Sequence, residues 1–222
     1  EAGLRTYQPD HPFPEEGYRQ MISRLAYVNL CPTDVARGNL LAECVMGYSH
    51  VVGNTILDNL LEYTPKCEYT NKVLVTLHRR ENHANMDEWF THVNKVAVQY
   101  PELEFIIPLH PNPNVQKHKH LLADVSVVDP MGYDELLNLL VKTRFVITDS
   151  GGLQEEGSFF NKNVIVCRLF TERPEAIHHL RMCERPEDLK DIVKSVMENT
   201  IIDEVCPYGD GKSSKRIAKI IE

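Results

Sequence analysis

Asp149-Ser150-Gly151-Gly152-Leu153-Gln154-Glu155-Glu156 is the stretch whose residue types and spacing point most specifically to chemistry. It follows Phe145-Val146-Ile147-Thr148, a short apolar, β-branched run that reads as a buried strand, and either Asp149 or Ser150 can cap a helix that Leu153 onward propagates. A capped helix after a core strand explains a lone Ser-Gly-Gly about as well. The glycines weigh against that plainer reading, because two of them in a first helical turn each cost about 1 kcal/mol relative to Ala and capping needs neither. What they permit is close approach of a bulky group to bare backbone N–H groups at the positive end of a helix, where a phosphate fits. Glu156 lies about 9 Å farther along the axis than Ser150, at the helical rise per residue. Its carboxylate can therefore accept hydrogen bonds from a ribose diol while a diphosphate rests on the glycines. The chemistry is that of one half of a nucleoside diphosphate site.

Other clusters offer titratable or cationic groups. His78-Arg79-Arg80-Glu81-Asn82 follows another buried strand, and an imidazole beside two guanidiniums is held toward its neutral form. It could exchange protons or bind phosphate; a polar connecting loop is the plainer alternative. In His110-Pro111-Asn112-Pro113 the prolines stiffen a turn and fix where His110 and Asn112 point. Glu172-Arg173-Pro174-Glu175 sets Arg173 just before an expected Pro-started helix, as a substrate contact or as one half of a surface ion pair. At the front stand Glu1, Glu15 and Arg19. Carboxylates flanking a sugar ring can remove and return a proton at carbon where burial raises their pKa, although most glutamates are simply exposed.

These groups need a scaffold that gathers them. From residue 72 onward, strands near 72–76, 104–109, 125–128, 145–148 and 163–167 alternate with helices near 86–99, 113–122, 133–143, 152–160 and 186–198. That alternation predicts an α/β fold with a Rossmann-like parallel sheet, whose ligands sit at the carboxyl ends of strands. The His78, His110, Ser150 and Arg173 motifs all fall at such ends. Upstream, helices over 15–26, 33–44 and 54–63, the last two capped by Thr33 and Asn54, alternate with strands over 27–31 and 49–52. Residues 65–71 are polar and aperiodic. We read them as a linker dividing a first domain, 1–65, from a second, 66–222. Glu1-Ala2-Gly3-Leu4-Arg5-Thr6 reads as the end of an element whose strands lie upstream, so the first domain is expected to be incomplete. On such an untethered terminus the Glu1 carboxyl is expected to keep an ordinary pKa, about 4.3.

Composition narrows the classes further. A net charge of −8 argues against general nucleic-acid binding and confines any phosphate site to a local feature. No apolar run approaches the roughly 18 residues of a membrane span and the amino-terminal residues do not resemble a signal peptide, so no membrane contact and a cytoplasmic location are expected. The cysteines are scattered without zinc-binding spacing. They are read as reduced thiols, and neither a metal nor a cofactor is expected.

Together the motifs resemble the non-hydrolysing UDP-N-acetylglucosamine 2-epimerases. The matching pieces are Glu1-Ala2-Gly3-Leu4-Arg5-Thr6, Pro14-Glu15-Glu16 with Arg19, Asn39-Leu40-Leu41, Gly53-Asn54-Thr55, His78-Arg79-Arg80-Glu81-Asn82, His110-Pro111-Asn112-Pro113, Asp149 to Glu156, Thr171-Glu172-Arg173-Pro174-Glu175-Ala176 and Pro207-Tyr208-Gly209-Asp210-Gly211, collinear over essentially the whole chain. The resemblance implies a GT-B-like architecture of two Rossmann-like domains that interconverts UDP-N-acetylglucosamine and UDP-N-acetylmannosamine. UDP is eliminated as the C2 proton leaves, and it adds back with a proton delivered to the other face. Carried over by position, Glu1 and Glu15 match acid/base carboxylates and His78 the catalytic histidine. Arg19 and His110 match substrate or effector positions, Ser150, Gly151, Gly152 and Glu156 match diphosphate and ribose contacts, and Arg173 joins the substrate-binding set. The partners implied are UDP-N-acetylglucosamine and UDP, in a homodimer of the complete enzyme.

The family pattern also begins with further strands carrying a Gly-Thr-Arg-Pro-Glu loop and a His-Gly-Asp-Thr segment. The expectation is therefore a truncated or split epimerase, with a separately supplied amino-terminal half as a partner. A non-catalytic nucleotide-sugar binding module is the competing reading. A GT-B glycosyltransferase comes third, disfavoured by the two front carboxylates. Where family members often carry an aromatic residue near the uracil, this chain has Leu136.

Overall fold

The computed structural model describes residues 1–222, the side chain of Pro65 excepted. The chain forms two compact units, one of Glu1–Glu62, Phe170–Ala176 and Val205–Glu222 and the other of Tyr63–Leu169 and Ile177–Glu204. This differs from the single division at 65/66 expected from the linker. The extra crossings arise because bonds distant in sequence tie the two later segments to the first unit. The Tyr208 hydroxyl donates to the Arg173 carbonyl (2.9 Å), the Asn54 N–H donates to the Tyr208 carbonyl (2.7 Å), and the N–H groups of Ser213 and Ser214 donate to the Asp58 carboxylate (2.9 and 2.7 Å). Local composition carries no trace of such bonds.

In the first unit, α1 (Glu15–Leu25), β1 (Val28–Cys31), α2 (Asp34–Ala42) and β2 (Tyr48–Val51) follow one another, and β1 pairs with β2 in parallel. The Thr33 hydroxyl accepts from the Ala36 N–H (3.0 Å), which caps α2 as expected. The helix then buries Ala36 and Leu40, one turn apart, against Leu4 and Cys31. Asn54 also caps as expected, but the element it starts, Thr55–Leu60, is a 3₁₀-helix. Its buried residues are Leu57 and Leu60, and a spacing of three places them on one 3₁₀ face.

The second unit is a regular α/β layer. Its strands are β3 (Lys72–Thr76), β4 (Glu104–Pro108), β5 (Ser126–Val128), β6 (Thr143–Thr148), β7 (Asn163–Val166) and β8 (Leu180–Met182). Its helices are α3 (Met86–Gln99), α4 (Pro113–Gln116), α5 (Tyr133–Leu140), α6 (Gly151–Phe159) and α7 (Leu189–Glu198). The strands run parallel in the order β5-β4-β3-β6-β7-β8. Successive strands grow to one side of β3, and then the chain returns to start β6 on its other side. The gap between the carboxyl ends of β3 and β6 is thus a topological switch point, where sheets of this kind bind ligands.

Burial on both faces explains the apolar runs: all four residues of β7 are buried, as are all but one of β6. From α3 the side chains of Met86, Trp89, Phe90, Val93 and Val96 enter the core at helical spacing. Gly157 lets α6 approach β7 closely, since a Cβ there would lie 2.4 Å from Val164 Cγ2. Strand β8 and the carboxyl-terminal helix Ser213–Ile221 add to the elements expected from sequence, and the expected helix over 113–122 is α4 followed by a 3₁₀ turn, Lys119–Leu121. No helix among the described residues is long and apolar enough to cross a membrane.

Candidate functional site

Within the second unit, the loops leaving β3, β4 and β6 meet around a cavity of about 360 Å³. Its polar lining is Thr76, His78, His110, Ser150, Tyr133 and Glu156, with the bare backbone of Gly152 between them. Pro108, Pro111, Pro130, Met131, Leu136 and Leu153 form an apolar wall. A few convergent polar groups in a mostly apolar pocket of this size suit a small organic ligand.

The strand ends fix the polar groups. Thr76 and Thr148 are register partners at the ends of β3 and β6, and their hydroxyls bond to each other (2.6 Å). The Thr148 hydroxyl oxygen also accepts from the Ser150 N–H (2.9 Å), which sets the turn into α6. Ser150 occupies the N-cap position, yet its side chain makes no capping bond, and Asp149 does not cap the helix either. Fully buried, Asp149 instead reaches across the switch point. Its Oδ2 accepts from the N–H groups of His78 (2.9 Å) and Arg79 (2.8 Å) and from the Asn82 side-chain amide (3.0 Å). The first turn of α6 thus has backbone N–H groups, a free-standing serine hydroxyl and an exposed Gly152 at the cavity wall. A Cβ on Gly152 would meet only the Ser150 oxygen, at 4.0 Å, so the glycine keeps the wall open rather than relieving a clash. Gly151 is buried at the start of the helix.

His78 and His110 stack with ring centroids 5.0 Å apart and planes 12° from parallel. The His78 pKa is lowered, first by burial and then by the charges of His110, Arg79 and His83, against the opposing pull of Asp149. The neutral imidazole expected from sequence is therefore favoured, but burial rather than the arginine pair is the leading cause. His78 Nδ1 lies 3.8 Å from Asp149 Oδ1. The Asn112 N–H donates to His110 Nδ1 (3.1 Å), so a neutral His110 carries its proton on Nε2. Glu156 is only 5% exposed, and its Oε1 accepts from the Tyr133 hydroxyl (2.9 Å). Burial pushes the Glu156 carboxyl upward, the Tyr133 bond opposes this, and the charge of Glu155 adds to it.

The remaining expected residues lie in the first unit. Glu1 is gripped by two guanidiniums, accepting from Arg19 (Nε 3.2 Å, Nη2 2.8 Å) and from Arg173 Nη2 (3.0 Å). Arg173 also bonds Glu172, and Arg19 Nη2 lies 3.7 Å from that same carboxylate. This corrects two expectations. Arg173, only 4% exposed, is a buried guanidinium paired with the buried Glu172 and the half-exposed Glu1 and is not part of a surface pair, and the segment after it forms turns instead of a helix. Glu1 is half exposed, yet it is not a carboxylate of ordinary pKa. Burial pushes its carboxyl up, but the hydrogen bond and charge of Arg19 and the charge of Arg173 outweigh this and leave it lowered. Glu15 is exposed in the first turn of α1, while its neighbour Glu16 is fully buried and accepts from the Thr6 N–H (2.9 Å). The structure therefore brings together His78, His110, Ser150, Gly152 and Glu156 in one unit and Glu1, Arg19 and Arg173 in the other, and leaves Glu15 exposed at the start of α1.

Two side chains that shape the site escaped the sequence reading. Asp149 was read as a cap, and only its distance partners show it to be a clamp on the His78 loop. Tyr133 starts a helix after Gly132, a position that carries no sequence signal for a partner on α6.

Residues 1–222 match a family model described as UDP-N-acetylglucosamine 2-epimerase. Among curated relatives, the UDP-N-acetylglucosamine 2-epimerase of Salmonella borreze is 34% identical over 98% of this chain and 66% of its own length. The chain thus spans about two thirds of the length of the curated relatives it matches. A crystal structure of the Neisseria meningitidis UDP-GlcNAc 2-epimerase bound to UDP-GlcNAc superposes with a TM-score of 0.90 at 31% identity, over 100% of this chain and 68% of that one. The S. aureus MnaA-UDP co-structure gives 0.89 at 32% identity, over 100% and 67%. These likenesses support the α/β, GT-B-like fold class read from the sequence.

Proposed function

Because the chain belongs to the UDP-N-acetylglucosamine 2-epimerase family, we propose that its second unit holds the UDP of a UDP-N-acetylhexosamine during epimerisation at C2. One observation carries the reading. The start of α6, with no side-chain cap and an exposed Gly152, opens into a cavity that Glu156 and His78 also line. In this arrangement the diphosphate accepts from the N–H groups of the first turn and from Ser150, where the helix dipole favours negative charge. Glu156 accepts from the ribose hydroxyls, and Met131, Leu136 and the prolines cover the base.

Epimerisation by elimination requires a proton to leave C2 and one to return on the other face while UDP departs and re-adds. Of the acid/base residues named by resemblance, His78 is the one whose surroundings suit the role: it is neutral near pH 7 and beside the diphosphate cradle. Glu1, ionised between two guanidiniums, is a poor base in this arrangement, and the cluster of Arg19 and Arg173 is better suited to holding charge in place. The same reading puts the activity in the cytoplasm, makes the active form a homodimer, and gives the segments that lengthen the relatives a share in catalysis.

Incubation with UDP-N-acetylglucosamine in D₂O tests the reaction. Deuterium is expected at C2 when a separately supplied amino-terminal half is present and not with the chain alone. Exchange by the chain alone would contradict the need for a second half. No exchange with both pieces present would contradict the epimerase reading and leave a nucleotide-sugar binding module, which Ser150, Gly152 and Glu156 suffice to explain.

A further inference from the structure

We infer that Tyr133 is a positioning residue that makes Glu156 a reader of the ribose diol and so sets a preference for ribonucleoside over deoxyribonucleoside diphosphates. The inference rests on the reading of the cavity as a nucleoside diphosphate site and goes beyond it by naming what orients the carboxylate.

Glu156 sits in the second turn of α6, out of reach of the dipole-aligned N–H groups of the first. Among the described residues its hydrogen-bond partner is the Tyr133 hydroxyl, on Oε1 at 2.9 Å. With Oε1 committed, Oε2 is left to accept from a ligand, and a carboxylate anchored at one oxygen presents the other in a fixed direction. Tyr133 is 43% exposed, and what holds it is its helix. It begins α5, which buries Leu137 and Leu140, and the neighbouring Asp134 accepts from the Tyr63 hydroxyl (3.0 Å).

Tyr133 also bears on ionisation. Burial disfavours the charged carboxylate, the phenol bond favours it, and Glu155 on the same helix disfavours it. The titratable groups around the pair are Glu155 on α6, Tyr133 with Tyr63 and Asp134 behind it, and His78 and His110 lining the same cavity. Only the ionised carboxylate accepts from both hydroxyls of a diol. The contribution of Glu156 is therefore present above its raised pKa and lost as pH falls through it. Removing the phenol moves that loss to higher pH.

The experiment titrates UDP and 2′,3′-dideoxy-UDP into the full chain and into Tyr133→Phe at several pH values between about 5 and 8. The ratio of the two affinities cancels titration of the β-phosphate and of the histidines. The parent should prefer UDP by about 10- to 100-fold at the upper end, the range of a charge-assisted hydrogen bond. In Tyr133→Phe the preference should fall to about threefold or less at neutral pH, and its decline on acidification should begin at higher pH. An undiminished preference with the same pH profile would overturn the inference while leaving the cavity reading intact. Equal weakening of both nucleotides would reduce Tyr133 to a packing role and overturn it too. Failure of the parent to bind either nucleotide would remove the cavity reading and this inference with it.

Discussion

Replacing His78 by Asn, with the amino-terminal half supplied, should slow deuterium exchange at C2 by about 10²- to 10⁴-fold, the range contributed by a positioned general acid or base. UDP affinity should stay within about threefold, because the proposed diphosphate and ribose contacts come from α6 and not from the imidazole. The two readouts separate a proton carrier from a binding group. Asn keeps polarity and approximate size but cannot titrate. The pH dependence follows from the direction of the shift. Burial and neighbouring positive charge lower the His78 pKa below the ordinary 6.5, so the neutral form persists as pH falls below that value, and exchange that needs it declines only through the lowered pKa. Equal losses in exchange and in UDP affinity would contradict this and make His78 a ligand contact.

The second large effect is expected at Asp149. Its buried carboxylate accepts from two backbone N–H groups and one side-chain amide, all on the loop that presents His78. Asp149→Ala leaves those three donors, one buried and two partly buried, without their acceptor. A buried donor left unpaired costs about 1–3 kcal/mol, and partial relaxation of the loop limits the sum to about 3–5 kcal/mol. Chemical denaturation should show that loss of stability, and the same variant should lose exchange activity because His78 no longer has a fixed place. A loss below about 1 kcal/mol would mean that the loop is held by its own turn, and the clamp would not be what positions the histidine.

The contrast between Asp149 and its neighbours shows what the sequence could reveal. The strands read at 145–148 and 163–167 were legible because a strand buried on both faces is mostly apolar, and the glycines of α6 were legible because they are costly where they stand. These features are local. The bond from Asp149 to His78 spans 71 residues, and the bond from Glu156 to Tyr133 spans 23, so neither leaves a mark within a helix or strand period. Strand β8 is three residues with an arginine at its centre, too short to show a pattern. The adjacent carboxylates Glu15 and Glu16 are alike in the sequence, and it is the turn through Thr6 and Tyr7 that buries the second and leaves the first exposed. The assignment of Phe170–Ala176 and Val205–Glu222 to the first unit likewise depends on single side chains, Tyr208 and Asp58, whose partners lie far away in sequence.

In the function proposed, the cavity between the ends of β3, β4 and β6 holds a nucleoside diphosphate, with the phosphates on α6 and the ribose on Glu156. Calorimetric titration of UDP into the chain and into Glu156→Ala addresses it most directly. One UDP should bind per chain, weakened in Glu156→Ala by about 1.5–3 kcal/mol, or roughly 10- to 100-fold, for loss of a charge-assisted hydrogen bond. UMP should bind the parent less tightly than UDP, since the helix start loses the β-phosphate. UDP that binds Glu156→Ala as tightly as the parent, or a parent that does not distinguish UDP from UMP, would contradict the account.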